Sequence, residues 1–331
     1  MISKPILQKA VDENIIEAEQ LEPLYQFLQN ENVESELEGR EEPLKFIRSF
    51  GDVFITLGII LLAVAIYRIN FTGYEAVIPV VGFIVVAEWL VRVRRLALPG
   101  IAILMSVLFF VNNAIPVEYD SSTIPGLAVL GLTSLLFYLR YKMPFSLLPL
   151  TACLISIAVI QIGVDVLKTP IIFAAFGLIV FVVAMWFDAQ DTKRVSHMSD
   201  SAFWLHLLAA PLFVHGIMAS MLISESSFFD IINKEMMIFI FFACFFLLAL
   251  LVDRRAMLVS TQLYVIYALT QLFQDSVSST QDIMIYILMA IGLFVIYFGA
   301  YWYKTRQLIF GFMADSAITK YIPALNSQDV K

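Results

Sequence analysis

The sequence predicts an all-α fold: a polytopic helical membrane protein with about ten transmembrane helices and a small N-terminal cytoplasmic helical hairpin. Three observations carry that prediction. Of 331 residues, 60% are hydrophobic and only 15% charged, against about 25% charged in soluble globular chains. Apolar runs of about 17–23 residues recur along the chain, each long enough to cross roughly 30 Å of hydrocarbon. Lys and Arg gather in every second connection between those runs. A soluble fold of this length has too little interior to hide so much apolar surface, so lipid must solvate most of it.

The runs fall at 50–67, 76–92, 97–115, 124–140, 145–165, 170–187, 201–223, 235–252, 256–273 and 282–302. They form a bundle over 46–303, with a hairpin and acidic linker at 1–45 and a tail at 304–331. Short polar connections join them, such as Asn112-Asn113-Ala114-Ile115-Pro116 and Ser276-Val277-Ser278-Ser279-Thr280.

Orientation follows from the positive charges, which collect on the cytoplasmic side. Arg40, Lys45 and Arg48 precede the first run. Arg92, Arg94 and Arg95 follow the second; Arg140 and Lys142 follow the fourth; Lys193 and Arg194 follow the sixth. Arg254 and Arg255 follow the eighth, and Lys304 and Arg306 the tenth. The opposite connections hold only Arg68, Lys168 and Lys234. Both termini are therefore expected in the cytoplasm. The same clusters close five successive in–out hairpins, a pattern that topology alone suffices to produce, that duplication of a hairpin unit would also give, and whose count permits a five-plus-five inverted repeat.

The formal net charge is −7, but eleven of the 28 acidic residues lie between Asp12 and Glu42. The acidity belongs to one tail and says little about the body. Within that tail, Ser3 and Pro5 suit a helix start. Leu21, Leu24, Tyr25 and Leu28 form a second, one-sided apolar stripe. Two such short helices have no core of their own, so the stripe is expected to pack on its neighbour, on the bundle, or on a protein partner. Residues 30–42 read as a solvated linker. At the other end, 307–322 mixes apolar and polar residues, a composition that fits an interfacial helix or a frayed tail.

Candidate chemistry is sparse. Cys153 and Cys244 sit in apolar runs and read as small core residues, with no disulfide, redox role or cofactor implied. Glu88 precedes Arg92 by four residues, an i,i+4 ion pair. Asp52, Asp188, Asp200 and Asp253 lie at run ends beside basic loops, and read as an interfacial salt-bridge layer. The seventh run carries His206 and His215 around Pro211. Nine residues of helix turn by about 900° and rise by about 13–14 Å, so the two rings face apart and cannot share a metal. Gln262 in the ninth run is the expected partner of His206. His206, His215, Gln262, Glu88, Arg92 and Asp253 thus make up the candidate polar cluster. No carboxylate lies near the middle of a run, and no hydrolase, P-loop or dinucleotide-binding motif is present. No catalytic or metal site is assigned, and with no basic soluble domain, nucleic-acid binding has no support.

Four stretches carry a resemblance: FIRSFGDVFITLGIILLAVAI at 46–66, SDSAFWLHLLAAPLFVH at 199–215, DRRAMLVS at 253–260 and KTRQLIFGFM at 304–313. With the amphipathic hairpin before them, they resemble uncharacterised bacterial polytopic inner-membrane families. The resemblance implies a multi-pass protein of the bacterial inner membrane with a cytoplasmic N-terminal hairpin; it transfers no active site. Two functions are expected from the chain as a whole. One is a non-enzymatic membrane scaffold, sensor or assembly component; the other is a transporter or flippase for a small or lipidic molecule.

Overall fold

The computed structural model describes residues 7–8, 11–13, 15–26, 49–71, 73–115, 123–163, 165, 168–192, 194, 196–223, 234–273, 280–313, 316 and 321–323. Among these no strand occurs. Of the expected N-terminal hairpin, residues 7–8, 11–12 and 21–26 are helical around a 3-10 turn at Ala18–Gln20, with Leu7 and Leu21 buried, while the acidic linker at 30–42 lies outside the described residues.

Ten α-helices follow among the described residues: α1 Phe50–Ile69, α2 Val77–Ala87, α3 Ala97–Ala114, α4 Thr123–Tyr141, α5 Leu147–Ile162, α6 Ile171–Gln190, α7 His197–Ile223, α8 Lys234–Val252, α9 Val259–Phe273 and α10 Thr280–Phe310. A 3-10 turn at Gly73–Ala76 leads into α2 and a π-helical turn at Glu88–Val93 leaves it. Eight of the resulting helical segments are long and apolar enough to cross a membrane, and Met236–Val252 is a shorter apolar helix. Each helix overlaps one apolar run of the sequence. In hydrocarbon a backbone must satisfy its own hydrogen bonds, and an α-helix does so within one segment. Hydroxyls in the helices follow the same logic: Ser106, Thr133, Ser134, Ser156, Ser220 and Thr270 each donate to the carbonyl four residues earlier.

Three apolar clusters tie the helices together. Ile59, Phe83, Ile103, Val107, Phe110 and Phe137 join α1 to α4. Leu147, Val180, Ala184, Leu205 and Ala209 join α6 and α7 to the turn that starts α5. Val214, Phe245, Leu250, Met257, Ala268 and Trp302 join α7 to α10. Leu61, Val85, Leu136, Ile179 and Ile296 stay exposed on the outer faces, where an apolar surface of this extent calls for lipid.

The helices α6 and α7 approach each other most closely at two glycines. A Cβ on Gly216 would run into the Ala174 nitrogen, and one on Gly177 would lie 2.5 Å from the Phe213 nitrogen. Glycine lets the two backbones touch, the usual device where lipid supplies no hydrophobic drive between helices. The helix α7 runs on through Pro211.

Four connections at one end of the bundle share a backbone feature. Arg95, Lys142, Arg194 and Asp253 all adopt left-handed angles, with φ of 55°, 52°, 54° and 61°. Arg95, Lys142 and Asp253 follow directly on helix ends, where one αL residue turns the chain back toward the bundle, and Arg194 closes the turn after α6 by donating its N–H to the Asp191 carbonyl at 3.0 Å. This is the end that carries the basic clusters. One sequence expectation changes. Cys153 is half-buried and Cys244 exposed, so neither is a core residue; a thiol is apolar enough for a helix face turned to lipid. At the C-terminus the backbone leaves helical geometry at Tyr301 (φ −112°, ψ 19°), so α10 is two helical stretches joined at a kink, the second running to Phe310 and into a 3-10 turn at Gly311–Met313; much of the expected 307–322 element lies outside the described residues.

Candidate functional site

The densest polar chemistry lies at the basic end, where α6, α7, α8 and α10 converge. Asp188, two residues before the end of α6, is 3% exposed. Its Oδ2 accepts from His206 Nε2 at 2.9 Å and from Arg254 Nε at 3.3 Å, while Oδ1 accepts from Arg254 Nη2. A carboxylate only accepts, so His206 carries its proton on Nε2. Helix geometry explains the reach: Cβ bonds tilt toward a helix N-terminus, so His206 leans toward the basic end and meets an acid on the antiparallel neighbour. Arg254 also donates to the Ser199 carbonyl at 3.2 Å, linking the start of α7.

Asp253 forms the second centre. Its Oδ2 accepts from Arg194 Nη1 at 2.9 Å and its Oδ1 from Trp302 Nε1 at 2.6 Å. Both carboxylates are thus doubly held, each by side chains from two different elements. Arg255, the third residue of the DRR run, donates to the Gly299 carbonyl at 3.3 Å and stacks over Trp302 and Tyr303.

The arginines perform a further task. The last carbonyls of a helix have no partner within it, and α8 ends inside the protein. The carbonyls of Leu250 and Leu251 accept from Arg306, at 3.0 and 3.1 Å. Those of Val252 and Asp253 accept from Arg194, at 3.3 and 2.8 Å, and that of Ala249 from the Arg254 backbone N–H at 2.9 Å. Cations at this pole also oppose the helix dipole. Arg306 reaches on to the Pro323 carbonyl at 2.8 Å, so the same side chain fastens the tail.

The structure divides the sequence-derived cluster into separate places. Asp253 and His206 belong to this buried network. Glu88 and Arg92 do not: they pair at 3.0 Å as their spacing predicts, on a different pair of loops. There Glu88 also accepts from Arg140 and from the Tyr141 hydroxyl. His215 is exposed, and its Nδ1 lies 2.5 Å from the Tyr264 hydroxyl.

The pairing of His206 with Gln262 is corrected. Asp188 holds Nε2, and Nδ1 has no partner among the described residues. The reason is depth. The chain dips inward right after Arg254, so that Met257 already lines a cavity with Ala209 and Ala210, one turn beyond His206. Gln262 lies further along still, close to Tyr264 and the level of His215.

That cavity, about 50 Å³, is bounded by apolar side chains of α6, α7 and α8, including Phe181, Phe213 and Phe245. Phe181 also packs edge-on against the His206 ring, with centroids 5.3 Å apart. Among the described residues no group of three His, Cys, Asp or Glu is placed to hold a metal ion. Arginine identity is the signal that points to this network in the sequence. A guanidinium fork can grip a carboxylate and a carbonyl at once, and the 192–194, 253–255 and 304–306 clusters supply the three of this network, Arg194, Arg254 and Arg306, beside long apolar runs.

No family model matches the chain, and no curated protein or solved structure matches it.

Proposed function

We propose that this chain is a non-enzymatic component of the bacterial inner membrane, a scaffold or assembly element that crosses the bilayer ten times with both termini in the cytoplasm. One observation supports this reading above the others. Asp188 and Asp253 are each held by two elements, and Arg194, Arg254 and Arg306 donate to carboxylates and backbone carbonyls of their own chain. Transport or catalysis needs polar groups presented to a solute. These instead join four helices and the tail into one rigid end, a platform for a partner.

The cavity beside Phe181 gives little support to transport of a polar solute, since its lining has no polar group to recognise one. In the scaffold reading the N-terminal hairpin is the docking element. Deleting residues 1–42 and repeating a crosslinked pulldown from membranes tests it: loss of specific partners is the expected result. An unchanged set of partners overturns the docking role.

A further inference from the structure

We propose that the basic end of the α2–α4 half binds the phosphate headgroup of an anionic phospholipid, between the connection at 94–96 and that at 141–143. Two interlocking contacts make these connections one surface. Glu88 is gripped by Arg140 at 2.9 and 3.0 Å and by the Tyr141 hydroxyl at 3.1 Å. Beside it, Met143 and Val91 close over Gly100, where a Cβ would stand 2.8 Å from the Met143 sulfur.

The charge on this surface is unbalanced. Arg92, Arg94, Arg95, Arg140 and Lys142 are exposed there. Glu88 is already engaged by Arg92, Arg140 and Tyr141. Arg94, Arg95 and Lys142 have no ion pair with any carboxylate among the described residues. Two of them, Arg95 and Lys142, occupy left-handed positions that glycine would fill at lower conformational cost.

What lies beneath the cations selects a lipid over a soluble anion. Trp89 is 57% exposed, with the Arg94 guanidinium 5.3 Å over its ring. An outward indole at the end of an apolar run marks headgroup depth. Val85 and Val93 are also exposed on the same segment. Positive groups above an aromatic and aliphatic wall match an amphiphile with an anionic head and acyl chains.

The inference rests on membrane placement and not on the scaffold reading, so a negative pulldown leaves it standing. The full chain is reconstituted in phosphatidylcholine nanodiscs containing a minor fraction of phosphatidylglycerol, and co-retained lipid is measured by native mass spectrometry. The protein should enrich phosphatidylglycerol. The triple variant Arg94→Gln/Arg95→Gln/Lys142→Gln should lose that enrichment, by about fivefold per cation removed. Lys168→Gln, at the opposite end, should retain it. Excess soluble inorganic phosphate should not displace the lipid. The proposal is overturned if the wild-type chain shows no enrichment, if a triple variant with unchanged thermal melting retains it, or if soluble phosphate strips the lipid.

Discussion

Arg194 and Asp253 both hold left-handed backbone angles, and their side chains meet at 2.9 Å, each about 6% exposed. Two non-glycine residues in that region each cost about 1–2 kcal/mol. Their buried charge pair, with the carbonyls of Val252 and Asp253 taken up by the same guanidinium, offsets the strain. Asp253→Asn keeps a residue tolerant of left-handed angles but removes the charge facing Arg194. It should cost about 3–5 kcal/mol, the usual result of leaving one buried ion unpaired. Arg194→Met combined with Asp253→Asn should cost less than the sum of the two single changes, and thermal melts of the purified variants measure the difference. In contrast Arg95→Gly and Lys142→Gly, exposed and strained, should be neutral or stabilising by up to about 1 kcal/mol.

The second prediction concerns His206. Its bond to Asp188 predicts strong coupling in a double-mutant cycle, about 1–3 kcal/mol for a buried bond to a charged acceptor. The cycle of His206 with Gln262 should return none. Equal coupling in both cycles would refute the assignment of Asp188 as partner.

Much of this molecule is legible in its amino-acid order, and the limit of that legibility has a physical form. Local relations hold: the Glu88–Arg92 pair needs only helix periodicity, and the helices follow from runs of apolar residues too long for anything else. Asp188 and Asp253 are readable as members of a salt-bridge layer, because acids at helix ends beside basic loops have few other uses. Their partners are not readable. Arg254 lies 66 residues from Asp188, and nothing in spacing chooses it over Arg255. Residue count from run ends misjudges the depth of Gln262 relative to His206. That measure assumes each run starts at the membrane edge, and the segment after Arg254 starts inside. The grip of Arg140 on Glu88 is hidden for the same reason as Arg254: it joins two hairpins.

Glycines give a prediction with two signs. Gly216→Ala would drive a methyl into the Ala174 backbone, and Gly177→Ala into that of Phe213. Neither contact is a flexible side-chain tip, so the α6–α7 pair must separate. Each change should cost about 1–3 kcal/mol, typical of overpacking. Gly58 and Gly292 lie in helix interiors with nothing within 4 Å of an added Cβ. Alanine there should be neutral or stabilise by up to about 1 kcal/mol, from helix propensity alone. Melting temperatures in one detergent settle the ordering. If Gly216→Ala melts no lower than Gly292→Ala, close α6–α7 contact is not what holds the pair.

The last prediction addresses threading. Arg95, Lys142, Arg194 and Asp253 turn the chain at one end of the bundle, and Asn70 and Gly163 turn it at the other, also with left-handed angles. If basic residues mark the cytoplasmic side, these two sets lie on opposite faces of the membrane. In a background with Cys153 and Cys244 replaced by serine, Arg94→Cys should resist a membrane-impermeant thiol reagent added to intact cells. Lys168→Cys, exposed beside Asp165, should react. Permeabilising the membrane should then expose Cys at 94 as well. The count and the orientation stand together in this test, because one missed crossing between 94 and 168 would place both positions on the same side. Reaction at 94 from outside would reverse the orientation, and reaction at both would break the alternation of crossings.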